Sequence, residues 1–166
     1  MKRTSQKGFS LLDVIVAIGI ITIAFFTILG LFQYVSLSSR YSSDRFIAAN
    51  LAQEGIEIVR SIRDSNWLSG DAWNQCVDNG VPCPTGDYQA DYNDSWLTLV
   101  SNTKLYIKDG YYSHDATGTE TKFRRSMHID DNCSDPAVEC IRVVSEVIWD
   151  DNYSFKIEDY LYNWGS

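Results

Sequence analysis

"KGFSLLDVIVAIGIITIAFF", residues Lys7 to Phe26, decides how this chain is built. It is apolar enough for a lipid bilayer, yet it carries a carboxylate, Asp13, close to its start. An ionised group at the centre of a bilayer helix costs about 2.5–3.5 kcal/mol on insertion scales, so such residues usually have a task. Working outward, the apolar run extends from Phe9 to Phe32, with Asp13 as its one ionisable group. As a helix it would be about 36 Å long, enough to cross a hydrocarbon core of about 30 Å with some tilt. Lys2, Arg3 and Lys7 precede it, which places the N-terminus on the cytoplasmic side and the rest of the chain outside. A cleaved secretory signal would have a shorter apolar core and a small-x-small site; here the run ends in Leu31-Phe32-Gln33-Tyr34. A plain signal anchor fits the hydropathy but gives Asp13 nothing to do.

The whole chain has 166 residues, with 14 Lys+Arg against 22 Asp+Glu. Setting aside the three leading cations leaves 11 against 22, a balance that would repel a phosphate backbone. No nucleic-acid partner is expected. Five Trp, ten Tyr and seven Phe argue against a disordered acidic tail.

The opening stretch resembles the N-terminal signal of type IV prepilins and type II secretion pseudopilins. The resemblance rests on Lys7-Gly8, then Phe9-Ser10-Leu11-Leu12-Asp13-Val14, then a long apolar helix. It implies that a prepilin peptidase cuts between Gly8 and Phe9 and methylates the new amine of Phe9. It also implies that the helix stays as a membrane anchor in contact with lipid and an inner-membrane assembly platform. The helix then packs against other pilin or pseudopilin subunits as filament core. In the family the acid at the place of Asp13 neutralises the N-terminal amine of a neighbouring subunit. A buried charge is tolerable when so paired. The family usually has Glu there; Asp is one methylene shorter and reaches less far. Major pilins often carry a proline late in this segment, where this chain has Gly30.

Beyond the membrane run the sequence continues without proline. Ala48, Leu51, Ala52, Ile56, Val59 and Ile62 recur every three or four residues, the stripe of an amphipathic helix. Glu57 with Arg60, and Arg60 with Asp64, are placed to pair on the wet face. Asn66 and Gly70 mark the end. The expected organisation is a leader (1–8), a membrane or filament-core helix (9–32), its amphipathic continuation (33–64) and a head (65–166) completed by the 48–64 helix face. The stretch "AANLAQEGIEIVRSIRD" resembles the corresponding region of minor pilins and of the minor pseudopilins most like them.

Residues 65–95 read as loop, rich in Gly, Pro, Asp and Asn. Strand patterns follow at 96–100, 104–107, 122–129, 140–149 and 153–164. Lys108-Asp109-Gly110 reads as a turn before "YYS". In 122–129, Phe123, Met127 and Ile129 share a face. In 140–149, Ile141, Val143, Val147 and Trp149 do so, and in the last strand Tyr153, Phe155, Ile157 and Leu161 point inward. Asp150-Asp151-Asn152 closes a hairpin. The expected fold class is α+β: a long N-terminal helix packed on a small antiparallel sheet. The last strands, "RVVSEVIW" and one ending in "YLYNW", also resemble the C-terminal sheet of minor pilins.

Four cysteines fall as two pairs, Cys76/Cys83 and Cys133/Cys140, and permit three connectivities. Outside the cytoplasm oxidation is the default, and two local loops are the simplest pairing. Zinc is the rival, but neither pair has C-x₂-C spacing, and His114 and His128 lie apart. The acidic runs Asp87…Asp91…Asp94 and Asp130-Asp131-Asn132…Asp135 could hold calcium, as loops in some pilin-like heads do. They lack the D-x-[DN]-x-[DN]-G pattern, so a solvated acidic loop is the plainer reading and no cofactor is expected. No G-x-S-x-G, H-E-x-x-H or phosphate-cradling loop is present, and an enzyme is not expected.

Two functions therefore compete with a filament subunit. An adhesin or ligand-binding tip module would expose Trp and Tyr from 65–95. A membrane-anchored extracytoplasmic enzyme would need perturbed acids or a Cys–His contact in a pocket.

Overall fold

The computed structural model describes residues 10–78, 82–131, 133 and 139–163. Two compact units meet at Ser43 and Asp44, inside one helix, α1 (Leu11–Ser69).

In the first unit α1 begins with a reciprocal cap. Ser10 is the N-cap residue, its carbonyl accepting from Asp13 N–H at 3.0 Å; its own N–H donates to the Asp13 carboxylate at 3.2 Å. Every described side chain from Ser10 to Val35 is exposed, the apolar ones included. Such a helix, apolar all round, requires a non-aqueous surrounding. Thr22 and Thr27 place hydroxyls in this run, and each donates back to the carbonyl four residues earlier, at 2.7 and 2.9 Å. The helix is long and apolar enough to span a membrane. It passes unbroken through Gly19 and Gly30, and among the described residues nothing beyond the helix's own adjacent backbone lies within 4 Å of a Cβ added at either.

The second unit starts at Asp44. Ala48, Leu51, Ala52, Ile56, Val59 and Ile62 are all buried, joined by Gly55, Ile58 and Asn66. The helix runs five residues past the expected end at Asp64. Gly70 (φ 79°) supplies the left-handed residue that stops it, with Gly70 N–H donating to Trp67 O at 3.2 Å and Asp71 N–H to Asn66 O at 2.9 Å. Asn66 stays helical because its amide turns to the returning loop and donates to Gln75 O at 2.5 Å.

Among the described residues seven strands form one antiparallel sheet: β1 (Gly86–Gln89), β2 (Thr98–Leu99), β3 (Lys104–Lys108), β4 (Tyr111–Ser113), β5 (Thr119–Asp130), β6 (Cys140–Trp149) and β7 (Tyr153–Tyr162). On one side β5 pairs with β1 and β3, which carry β2 and β4; on the other it pairs with β6, and β6 with β7. The β3–β4 hairpin closes on Asp109-Gly110 and the β6–β7 hairpin on 150–152, with positive φ at Asp109, Gly110, Asp150 and Asp151. Asp and Gly tolerate that conformation best.

Three expectations needed correction. Strand β1 lies inside the stretch read as loop. It has one apolar side chain, Tyr88, and forms because β5 offers an edge, with Tyr88 opposite Met127. Tyr88 is 1% exposed, and its hydroxyl donates to Pro84 O at 2.7 Å. Tyr153, expected inward, is half exposed: it follows the hairpin directly and stacks on Trp149 at 5.7 Å rather than entering the core. The strand expected at 96–100 shrinks to Thr98–Leu99, while Leu97 is buried and donates to Cys76 O at 2.7 Å.

The helix stripe packs on the sheet in two clusters. One centres on Ile56, Val59, Ile62, Met127, Ile129 and Val143; the other on Leu51, Leu105, Phe123, Val147 and Trp149. The α+β expectation holds. Cys76–Cys83 and Cys133–Cys140 are disulfide-bonded, the two local loops. Each restricts the unfolded chain by about 2–3 kcal/mol.

Candidate functional site

Asp13 is the sequence-predicted assembly residue the structure describes. Its carboxylate sits on the first turn of α1, exposed, and caps Ser10. The favourable field at a helix N-terminus adds to that bond. Gly8 and Phe9, the expected processing residues, lie outside the described residues, as do Asn132 and Asp135 of one acidic run.

The head holds a polar constellation that the strand pattern passed over. Arg125 shares the inward face of β5 with Phe123, Met127 and Ile129, and it has no exposed surface. Its Nη1 lies 3.1 Å from Glu54 Oε1 and donates to Leu51 O at 3.3 Å; Nη2 donates to Ala90 O at 2.9 Å. One guanidinium thus ties α1 to the end of β1. The backbone of α1 comes close enough for this because residue 55 is glycine. A Cβ there would lie 2.4 Å from Ser145 Oγ on β6 and 3.5 Å from Arg125 Cδ. The signal was available: inward parity runs 123, 125, 127, 129, and position 125 is the one charge in that row.

A second pair fastens the loop after β1. Asp91 accepts from His114 N–H at 2.9 Å and faces His114 Nδ1 at 2.7 Å, while His114 Nε2 faces Arg125 O at 3.5 Å. Burial alone would push the Asp91 carboxyl up. The hydrogen bonds from the His114 ring and backbone N–H, with the electrostatic pull of the His114 ring and the Arg125 guanidinium, more than offset that and hold it below the usual carboxylate range. The ring's second nitrogen faces a backbone carbonyl, that of Arg125. The neighbouring cleft, of about 310 Å³, is lined by Asp91, Asp94, Lys108, Asp109 and Asp115 and flanked by the stacked Tyr92 and Tyr111. Three of these four acids have partners: Asp91 meets His114, Asp94 accepts from Asp91 N–H, and Asp115 accepts from Lys108 and from Thr117 N–H. The Lys108 hydrogen bond is the main reason the Asp115 carboxyl falls to about 2.

Elsewhere Asp87 faces His128, and Asp130 holds Arg142 through two oxygens. Among the described residues no group of three or more His, Cys, Asp or Glu is placed to hold a metal. On the helix, Glu57 pairs with Arg60 as expected, at 2.5 Å. The expected Arg60–Asp64 pair is replaced: the other arm of Arg60 reaches Asp159 on β7 at 2.7 Å, and Asp64 turns to Arg63. The aromatics of 65–95 divide unequally, with Trp73 and Tyr88 in the core and Tyr92 outside.

Compared with family models, curated proteins and solved structures, the chain has no match in any of the three.

Proposed function

We propose that this chain is a structural subunit, a minor pilin or pseudopilin, of a type IV pilus-like filament. The observation that carries the reading is the division of α1. Its first half is apolar on every side and exposed along its length, and its second half buries one stripe under a sheet. A helix of the first kind needs lipid or other helices around it, and one of the second kind belongs to a folded head. In this reading the leader is removed after Gly8, Phe9 is N-methylated, and α1 anchors the chain in the cytoplasmic membrane with its head outside. The two disulfides suit that compartment. Asp13, capping its own helix in the single chain, turns to the amine of a neighbouring subunit on assembly. The burial of Trp73 and Tyr88 withdraws the support an adhesin would have drawn from them.

The test is N-terminal mass spectrometry of the protein from its host. The mature chain is expected to begin with N-methyl-Phe9; an intact Met1 form alone, in cells with working prepilin peptidase, would refute the reading. In the same cells Asp13→Ala is expected to insert in the membrane but enter filaments poorly, and equal incorporation would remove the pairing role.

A further inference from the structure

The pattern N-x-S, the acceptor signal for N-linked saccharides, occurs three times in the head: Asn93-Asp94-Ser95, Asn132-Cys133-Ser134 and Asn152-Tyr153-Ser154. Each has an aspartate two residues before the asparagine, Asp91, Asp130 and Asp150, so the fuller pattern D-x-N-x-S recurs unchanged. The fold treats the three copies differently. Asn132 and Ser134 lie outside the described residues, and Cys133 between them is disulfide-bonded.

The copy around Asn93 is closed. Its aspartate turns inward, where the Asp91 carboxylate accepts from His114 N–H at 2.9 Å and meets His114 Nδ1 at 2.7 Å. The turn is also shut on itself: Asp91 N–H donates to Asp94 Oδ2 at 2.8 Å, and Asp94 N–H to Asp91 O at 3.0 Å. An enzyme would have to break those bonds to read this copy. The copy around Asn152 is open. Asp150, Asp151 and Asn152 form the exposed turn between β6 and β7, and Tyr153 opposite Trp149 is the first pair of the ladder that follows. Asn152 and Ser154 are both exposed, and neither side chain hydrogen-bonds to another described residue. Asp150 is half exposed, and its ion pair with Lys122 is loose at 3.7 Å. An exposed turn tip is where a folded chain most readily opens into the groove of another protein.

We propose that Asn152 is a glycosylation site. Its amide Nδ2 bonds to the anomeric carbon of a saccharide carried on a lipid pyrophosphate, and the bond from that carbon to the phosphate oxygen breaks. The lipid pyrophosphate leaves with the electron pair and the amide gives one proton to solvent, so the step needs no oxidant or reductant. Asp150 is the anion that the transferase grips through a basic side chain. The folded head favours this copy over the one at Asn93. The proposal rests on the reading that places the head outside the membrane.

Protein from its host is digested with trypsin, and the peptide Val143–Lys156, which carries Asn152, is sequenced by tandem mass spectrometry. It is expected to bear a saccharide on Asn152, while the peptide containing Asn93 is largely unmodified. Asn152→Gln and Ser154→Ala should abolish the modification, and Ser154→Thr should keep it. Asp150→Asn removes the charge with a residue that tolerates the positive φ there (50°). It should lower the ratio of modified to unmodified peptide by about tenfold, as the loss of one charge-assisted hydrogen bond would. Protease added to spheroplasts locates the head independently. A digested head with a bare Asn152 overturns the proposal and leaves the filament reading standing; a head shielded from protease overturns both. Modification of Asn93 as full as that of Asn152, or of Asp150→Asn as full as that of wild type, would also overturn the proposal.

Discussion

Changing Glu54 to Gln tests whether the head rests on a compensated buried charge. Arg125 is wholly buried and cannot shed its proton, so its cation needs the Glu54 carboxylate 3.1 Å away. Removing one partner of a buried pair costs about 3–5 kcal/mol. The Glu54 side chain is 35% exposed, so water reaches the pair and the figure should be discounted to about 2 kcal/mol. Arg125→Met removes the cation instead and deprives Ala90 O of its donor, for about 1–3 kcal/mol. With both changes no charge is left to compensate, so the double variant should cost little more than Arg125→Met alone. The expected coupling is about 2 kcal/mol. Thermal unfolding of the full chain in detergent, read by near-ultraviolet dichroism of the buried Trp73 and Trp149, should show Tm lower by about 4–8 °C for Glu54→Gln. A Glu54→Gln protein as stable as wild type, or costs that simply add, would refute the argument.

Two further predictions concern the same junction. Gly55→Ala should destabilise the head by about 1–3 kcal/mol, because the new methyl meets Ser145 Oγ at 2.4 Å. Ser145→Ala, which removes a buried hydroxyl with no hydrogen-bond partner among the described residues, should be neutral or stabilising and should relieve most of the Gly55→Ala cost; urea titration of the two variants and their double checks both. Asp91→Asn should lower Tm at pH 6, with the gap closing in acid. The folded-state carboxyl is held below its unfolded value, so its contribution is present above about pH 4 and is lost as pH falls through the lower folded value. A gap unchanged between pH 6 and pH 2 would show that the carboxylate charge has no part in it.

Much of this architecture was legible in local pattern. The all-apolar run and the three-to-four spacing of Ala48 through Ile62 each define a helix without reference to the rest of the chain. Asp109-Gly110 and Asp150-Asp151-Asn152 announce hairpins because few other residues accept positive φ there. The cysteine pairs read correctly because each closes a short loop. The Ser10–Asp13 cap is likewise local, written in the sequence as S-x-x-D.

What local pattern could not carry depended on a neighbour distant in sequence. Strand β1 has one apolar residue and exists because β5 presents an edge to it. Arg125 on β5 is buried because α1 supplies the Glu54 carboxylate and the Leu51 carbonyl, and the residue after β1 the Ala90 carbonyl. Gly55 reads as a weak point in a helix and proves to be the place where helix and sheet backbones approach. Arg60 chose Asp159, 99 residues away, over Asp64 one turn on. Sequence by itself determined the elements, since periodicity and turn chemistry are short-range. Tertiary structure alone decided which polar groups are buried and with whom, because a charge enters a core only when chain-distant partners converge to replace its water.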